Sequence, residues 1–246
     1  MKADILAIAA HPDDVELCCA GTLAKLASLG NRTAILDLTK GEMGTRGTPE
    51  LRIEEGLIAA KVLGAERFNL GLPDTQLFNT TENQDAIIQA VRNIKPEICF
   101  INAPVDRHPD HGHAHKLTLD ALFYSGLSKR ITHDKNGNKQ EPWRPKHIFY
   151  YMQDTPFTPH IVFDISDTME KKIEAILAFN SQFNVPDNDK DPKTYISGID
   201  FFEMIKNRAR IYGHQIGVTY GEPFQYHGGP LPYFDLFALL NHKPVR

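Results

Sequence analysis

Long apolar runs, surplus positive charge and cysteine are all scarce in this chain of 246 residues. No apolar stretch approaches the roughly 18 residues that suggest a spanning helix, so no membrane role is expected. With 27 Lys and Arg against 31 Asp and Glu, the formal net charge of −4 gives no general pull toward nucleic acid or an anionic membrane surface. Three cysteines are too few for a disulfide framework, and the neighbours Cys18 and Cys19 read as reduced, buried thiols. Met1-Lys2-Ala3-Asp4 leads straight into a short apolar strand, without the layout of a secretory signal, so the expected setting is the cytoplasm. A G-x-G-x-x-G phosphate loop is also missing, which makes a dinucleotide or nucleotide partner a weak reading. Neither internal repeats nor low-complexity linkers are visible.

What the chain does contain is an alternation of strand and helix signals. Residues 5–10 form an apolar run bounded by Pro12, the pattern of a fully buried strand. Residues 16–29 carry helical spacing through Leu17, Ala20, Leu23, Ala24 and Ala27, and stop at Gly30. A strand over 33–38 follows, then a helix opened by Thr48-Pro49 and ended by Gly64. Next come a strand at 68–70, a helix at 84–94, a strand at 98–102 and a helix at 110–125. This order predicts right-handed βαβ units in an α/β, Rossmann-like three-layer αβα fold with a mostly parallel sheet. Further on, residues 134–139 read as a polar loop, 146–152 and 160–164 as strands, and 167–180 and 198–212 as helices. Residues 184–192 read as a surface loop, and the chain closes in an aromatic, glycine-rich tail. Within that stretch Phe224, Tyr226, Tyr233, Phe234 and Phe237 fit core or subunit contact better than sugar stacking. The expected organisation is a single domain over 1–246: a Rossmann-like half to about residue 130, and a C-terminal elaboration over 131–246.

Two short clusters carry the chemistry: His11-Pro12-Asp13-Asp14 and His108-Pro109-Asp110-His111. Each falls where a strand gives way to a helix, and open parallel sheets bind ligands outside the carboxyl ends of their strands. If the first and fourth strands are near neighbours, both clusters face one crevice, and the loop over 39–46 reaches its rim. Together they offer His nitrogen and Asp oxygen for a divalent metal, with acid–base groups left over. Taken singly, each cluster could equally be a helix start, with Asp13, Asp14 or Asp110 satisfying free backbone N–H groups. Spacing alone does not choose ligands among His108, His111, His113 and His115, and His111 with His115 forms a competing i, i+4 pair.

The two clusters, with Thr39-Lys40-Gly41-Glu42-Met43-Gly44-Thr45-Arg46-Gly47 and Glu50-Leu51-Arg52-Ile53-Glu54-Glu55, resemble the PIG-L/LmbE-like N-acetylglucosaminyl deacetylases. The likeness runs through roughly the first 125 residues and returns near Tyr195-Ile196 and over 208–217. Within the family it is nearest to the deacetylases of bacillithiol biosynthesis, which act on N-acetylglucosaminyl malate. The resemblance implies a zinc-dependent hydrolase releasing acetate, with His11, Asp14 and His111 as metal ligands; Fe2+ or Mn2+ also suits such a set. It makes Asp13 the general base toward the attacking water, His108 the imidazole that stabilises the oxyanion, and Asp110 the partner that orients His108. His113 and His115 then fall to supporting or surface roles. For the substrate, Arg52 and Arg107 are candidates to bind malate carboxylates, Glu42 to accept from sugar hydroxyls, and Tyr195 and His214 to form the rim. For either arginine, a surface ion pair with Glu55 or Asp106 competes with substrate binding. The resemblance further implies a small amino-sugar substrate and a homo-oligomer, with a hexamer as one option. Alternatives are a deacetylase of a chitooligosaccharide or inositol conjugate, or a metal- or sugar-binding protein without catalysis. The presence of Asp13 and His108 argues against the last.

Overall fold

The computed structural model describes residues 2–183 and 192–230. The expected 184–192 loop therefore lies outside the described residues except for Pro192, as do Tyr233, Phe234 and Phe237. Seven strands form one sheet: β1 (Ile5–Ala9), β2 (Thr33–Asp37), β3 (Ala65–Asn69), β4 (Ile98–Ile101), β5 (His147–Tyr151), β6 (Ile161–Asp164) and β7 (Gly221–Tyr226). Their order is β3-β2-β1-β4-β5-β7-β6. The first five are mutually parallel, and β7 runs antiparallel between β5 and β6. A mostly parallel α/β sheet was expected, and it is what forms.

Successive side chains of a strand point to opposite faces, and β1 is buried on both. Ile5, Ala7 and Ala9 join one core with residues of α1 (Asp14–Cys18), α2 (Ala20–Ser28), α3 (Pro49–Leu63), α6 (Met169–Leu177) and α7 (Ile199–Gln215). Leu6 and Ile8 join the other, under α4 (Thr81–Ile94) and α5 (Pro109–Tyr124). These are the three layers. Among the described residues, no helix is long and apolar enough to cross a membrane.

Three local expectations need correction. The helix expected over 16–29 is two helices broken at Cys19, whose φ of −137° and ψ of 15° leave helical space. The break has a cause elsewhere in the chain: the Glu222 carboxylate accepts from the backbone N–H groups of Gly21 at 3.1 Å and Thr22 at 2.7 Å, capping α2 from strand β7. Strand β3 starts at Ala65, immediately after Gly64 closes α3 with φ 71°, and not at Phe68. Finally, part of the expected tail is strand β7, inserted between two others, with Phe224 in the core. A proline inside a run argues against a central strand, and Pro223 hid this one.

Candidate active site

The strand order reverses between β1 and β4, which pair directly. Chain leaving β1 and chain leaving β4 therefore meet at the carboxyl edge, in a cavity of about 370 Å³. His11, Asp13, Asp14, His108 and His111 all line it. Both clusters thus share one crevice.

Asp14 is the hub. Its Oδ1 lies 3.1 Å from His111 Nε2, and its Oδ2 lies 3.9 Å from His11 Nδ1 while accepting from the His11 backbone N–H at 3.1 Å. Asn102 at the end of β4 and Gln153 just past β5 donate to the same carboxylate at 3.2 and 3.3 Å. Burial opposes its charge, but the His111 and His11 contacts win and hold Asp14 well below the usual carboxylate range. Each histidine turns its second nitrogen outward onto carboxylate. His111 Nδ1 is 2.5 Å from Asp106, which is fixed by the N–H groups of Asp154 and Thr155. His11 Nε2 lies 3.0 Å from Asp74 and 3.2 Å from Asp110. Burial disfavours both imidazolium ions, yet the surrounding carboxylates raise His11 to about 10 and His111 to about 9.

This donor set fits a divalent metal. Inner edges of two imidazoles converge on one carboxylate, and outer carboxylates fix their orientation, as metal-ligating histidines require. The nitrogens of His11, His108 and His111 also lie within 4.8 Å of one another, as do ligand atoms of His11, Asp74 and Asp110.

Asp13 occupies the residue before α1 with φ 105°, a left-handed conformation uncommon outside glycine. Its side chain makes no cap to α1, so the plain helix-start reading does not hold. Instead Asp13 Oδ2 meets Arg52 Nη2 at 3.0 Å, and the guanidinium also donates to the carbonyls of Pro12 and Gly41. Burial pushes the Asp13 carboxyl up to about 7, against the pull of Arg52. Gly41, at φ 67°, leaves the room: a Cβ there would sit 2.0 Å from Arg52 Nη1.

His108 caps α5. Its Nδ1 accepts from the Asp110 backbone N–H at 3.3 Å, which leaves Nε2 as the hydrogen-bearing nitrogen of the neutral ring. Burial and the neighbouring His11 and His111 hold its pKa low, so this ring meets the cavity as a neutral donor. Here the expectation for Asp110 fails: its carboxylate sits on His11 and on the Thr75 N–H at 3.0 Å, and does not orient His108.

The substrate candidates divide. Arg52 is buried in the cavity wall and its ion-pair partner is Asp13, which corrects the pairing expected with Glu55. Glu42 is absent from the cavity lining and accepts from the Asp74 N–H at 2.8 Å, so it braces a loop. Arg107 and Tyr195 do reach the mouth: the guanidinium stacks 4.2 Å from the ring, and both side chains contact Asp154. His214 is exposed on α7, away from the cavity lining. Nor does the His111–His115 pair form a site. His115 Nδ1 bonds the Asn102 carbonyl at 2.9 Å, and its ring packs on Tyr150; His113 is half exposed beside Phe78. Motif reading missed Asp74, Asn102 and Gln153; they follow the carboxyl ends of β3, β4 and β5, the position that flags them.

Similarity to known proteins agrees with this geometry. The chain belongs to the PIG-L family of deacetylases, whose description as GlcNAc-PI de-N-acetylase matches residues 6–122. It is 33% identical over 190 residues to diacetylchitobiose deacetylase of Thermococcus kodakarensis, covering 73% of this chain and 70% of that protein. A probable N-acetyl-alpha-D-glucosaminyl L-malate deacetylase 2 of Bacillus anthracis is 26% identical over 196 residues, 73% of this chain and 81% of that one. Among solved structures, a conserved protein of Thermus thermophilus superposes with a TM-score of 0.81 at 38% identity, over 95% of this chain and 97% of that one.

Arg52 tunes Asp13, and the sign of its removal follows. A nearby cation favours the carboxylate, so Arg52→Met raises the Asp13 pKa above its present value near 7. Activity that needs the ionised form is lost as pH falls through that pKa. The acidic limb of the kcat/KM profile is therefore expected at higher pH in Arg52→Met than in the parent. An unmoved limb, with a folded variant, contradicts the coupling.

Proposed function

We propose that the chain is a zinc-dependent deacetylase of N-acetylglucosamine conjugates, acting on N-acetylglucosaminyl malate in bacillithiol biosynthesis. The observation that carries this reading is Asp14 between His11 and His111, beside a buried Asp13 in one cavity. His11, Asp14 and His111 would hold the metal, and a His2Asp set suits zinc. When bound, the ion polarises the acetamide carbonyl and lowers the pKa of water at the site. Asp13 then takes a proton from the attacking water, and that oxygen bonds to the carbonyl carbon. His108 donates its Nε2–H to the developing oxyanion, which needs no positive charge on the ring. As the C–N bond breaks, Asp13 returns its proton to the leaving nitrogen, giving acetate and a free glucosamine amine.

Arg107 is the residue best placed for malate, half exposed at the mouth with Asp154 as its present partner. The likeness to the Thermococcus enzyme supports diacetylchitobiose as the second reading. A cytoplasmic homo-oligomer remains part of this proposal, and sedimentation of the purified protein tests its size. For the substrate, acetate release is compared on N-acetylglucosaminyl malate, diacetylchitobiose and an N-acetylglucosaminyl inositol. The highest kcat/KM is expected on the malate conjugate, with a loss specific to that substrate in Arg107→Met. Activity on the other two alone overturns the malate assignment and leaves the deacetylase.

A further inference from the structure

We propose that Asp74 is a positioning residue for the metal ligand His11, and that it ties the orientation of this ligand to the loop forming one wall of the cavity. The assignment rests on the metal site proposed above, and concerns a residue outside both sequence clusters.

Asp74 follows β3 and its side chain is 5% exposed. Both carboxylate oxygens and the backbone N–H are engaged. Oδ1 lies 3.0 Å from His11 Nε2 and accepts from the Thr75 N–H at 2.9 Å. Oδ2 accepts from the Met43 N–H at 3.0 Å, and the Asp74 N–H donates to Glu42 at 2.8 Å. Glu42, Met43 and Asp74 thus clasp each other, and Met43, Gly44 and Thr45 line the cavity that His11 also lines. Thr75 holds φ 62°, an uncommon angle for a β-branched residue. In that conformation its single N–H reaches both Asp74 and Asp110.

Two readings compete for the group formed by His11, Asp74 and Asp110, whose ligand atoms cluster closely enough for an ion of their own. In the first, these carboxylates are themselves ligands and the ion sits at His11 Nε2. In the second, they accept the Nε2–H and leave Nδ1 for the ion. The hydrogen bonds favour the second. The Asp74 and Asp110 oxygens nearest His11 already accept from Thr75, and Asp74's other oxygen is spent on Met43. Meanwhile the Nδ1 edge faces Asp14, whose other oxygen meets His111. A carboxylate accepting the outer N–H fixes the tautomer and ring angle and makes the ligating nitrogen more basic.

Asp74→Asn replaces an acceptor-only group with one that also donates, so it can no longer serve His11 and Met43 in the same way. Loss of such an outer partner costs about 10–100-fold in metal affinity. The experiment is competition for zinc between the protein and a chromophoric chelator. Asp74→Asn is expected to bind zinc about 10–100-fold more weakly than the parent. Glu42→Met, which removes the acceptor of the Asp74 N–H but keeps the Asp74 carboxylate, is expected to raise KM and to weaken zinc binding clearly less than Asp74→Asn does. Unchanged zinc affinity in Asp74→Asn overturns the assignment, and so does an equal loss in Glu42→Met, because the effect then travels through the loop alone. Should Asp74→Asn fail to fold, 15N NMR of the parent loaded with zinc decides. Protonated Nε2 and metal-bound Nδ1 in His11 are expected, whereas metal on Nε2 makes Asp74 a ligand and overturns the positioning role. A parent protein that takes up no zinc overturns the metal site itself, a result distinct from the others.

Discussion

Asp13→Asn is expected to lower kcat by about 10²–10⁴-fold, the usual contribution of general acid–base catalysis, with metal binding retained. Asp13 does not contact the proposed ligands His11 and His111 through its carboxylate; its charged partner is Arg52 at 3.0 Å. The metal site should therefore survive its loss. The amide of asparagine has nearly the same shape but cannot take a proton from water or deliver one to an amine. Burial also holds the carboxyl near 7, so both of its protonation states are accessible close to neutrality. Steady-state kinetics and metal analysis of the same preparation check the prediction. Near-parental turnover with metal bound would remove Asp13 from the reaction, and loss of metal together with activity would make it part of the binding site.

The largest effect on stability is expected at Lys172. Its side chain is 2% exposed, and its ammonium lies 2.7 Å from Glu222 and donates to the Leu17 carbonyl at 3.0 Å. Glu222 in turn caps α2 and accepts from the Thr22 hydroxyl at 2.6 Å. One ion pair therefore joins α6, β7, the end of α1 and the start of α2. Lys172→Met fits the volume and keeps the apolar stem, yet strands a buried carboxylate. Breaking a buried pair on one side costs about 3–5 kcal/mol, far more than an exposed pair is worth. Urea unfolding should show that loss with an unchanged slope. A change under about 1 kcal/mol would mean that the α2 amides alone satisfy Glu222.

What the sequence reveals and what it hides differ in kind. Strands β1, β2 and β4 are short apolar runs buried on both faces, and α3 carries its own punctuation in Thr48, Pro49 and Gly64. Local pattern suffices for these. The break at Cys19 is decided by Glu222, about 200 residues away in sequence, and strand β7 by its pairing with β5 and β6; periodicity registers neither. The site divides similarly. His11, Asp13, Asp14, His108 and His111 announce themselves as dense clusters at strand ends, and the structure brings all five to one cavity. Asp74, Asn102 and Gln153 stand singly, and only the parallel sheet places them together. Arg52 shows the limit of reading residue type: an arginine near an anionic substrate and an arginine tuning a buried aspartate look alike in sequence. Asp110 shows the limit of reading adjacency, because helix geometry turns its carboxylate to His11 and away from His108.

The central claim is that His11, Asp14 and His111 hold one catalytic metal next to Asp13. Its most direct test is to strip the protein with a chelator, add zinc back in substoichiometric steps, and follow acetate release from an N-acetylglucosamine conjugate. Activity should be absent from the stripped protein and rise linearly to one metal per chain. Acetate release from metal-free protein at the loaded rate would contradict the account.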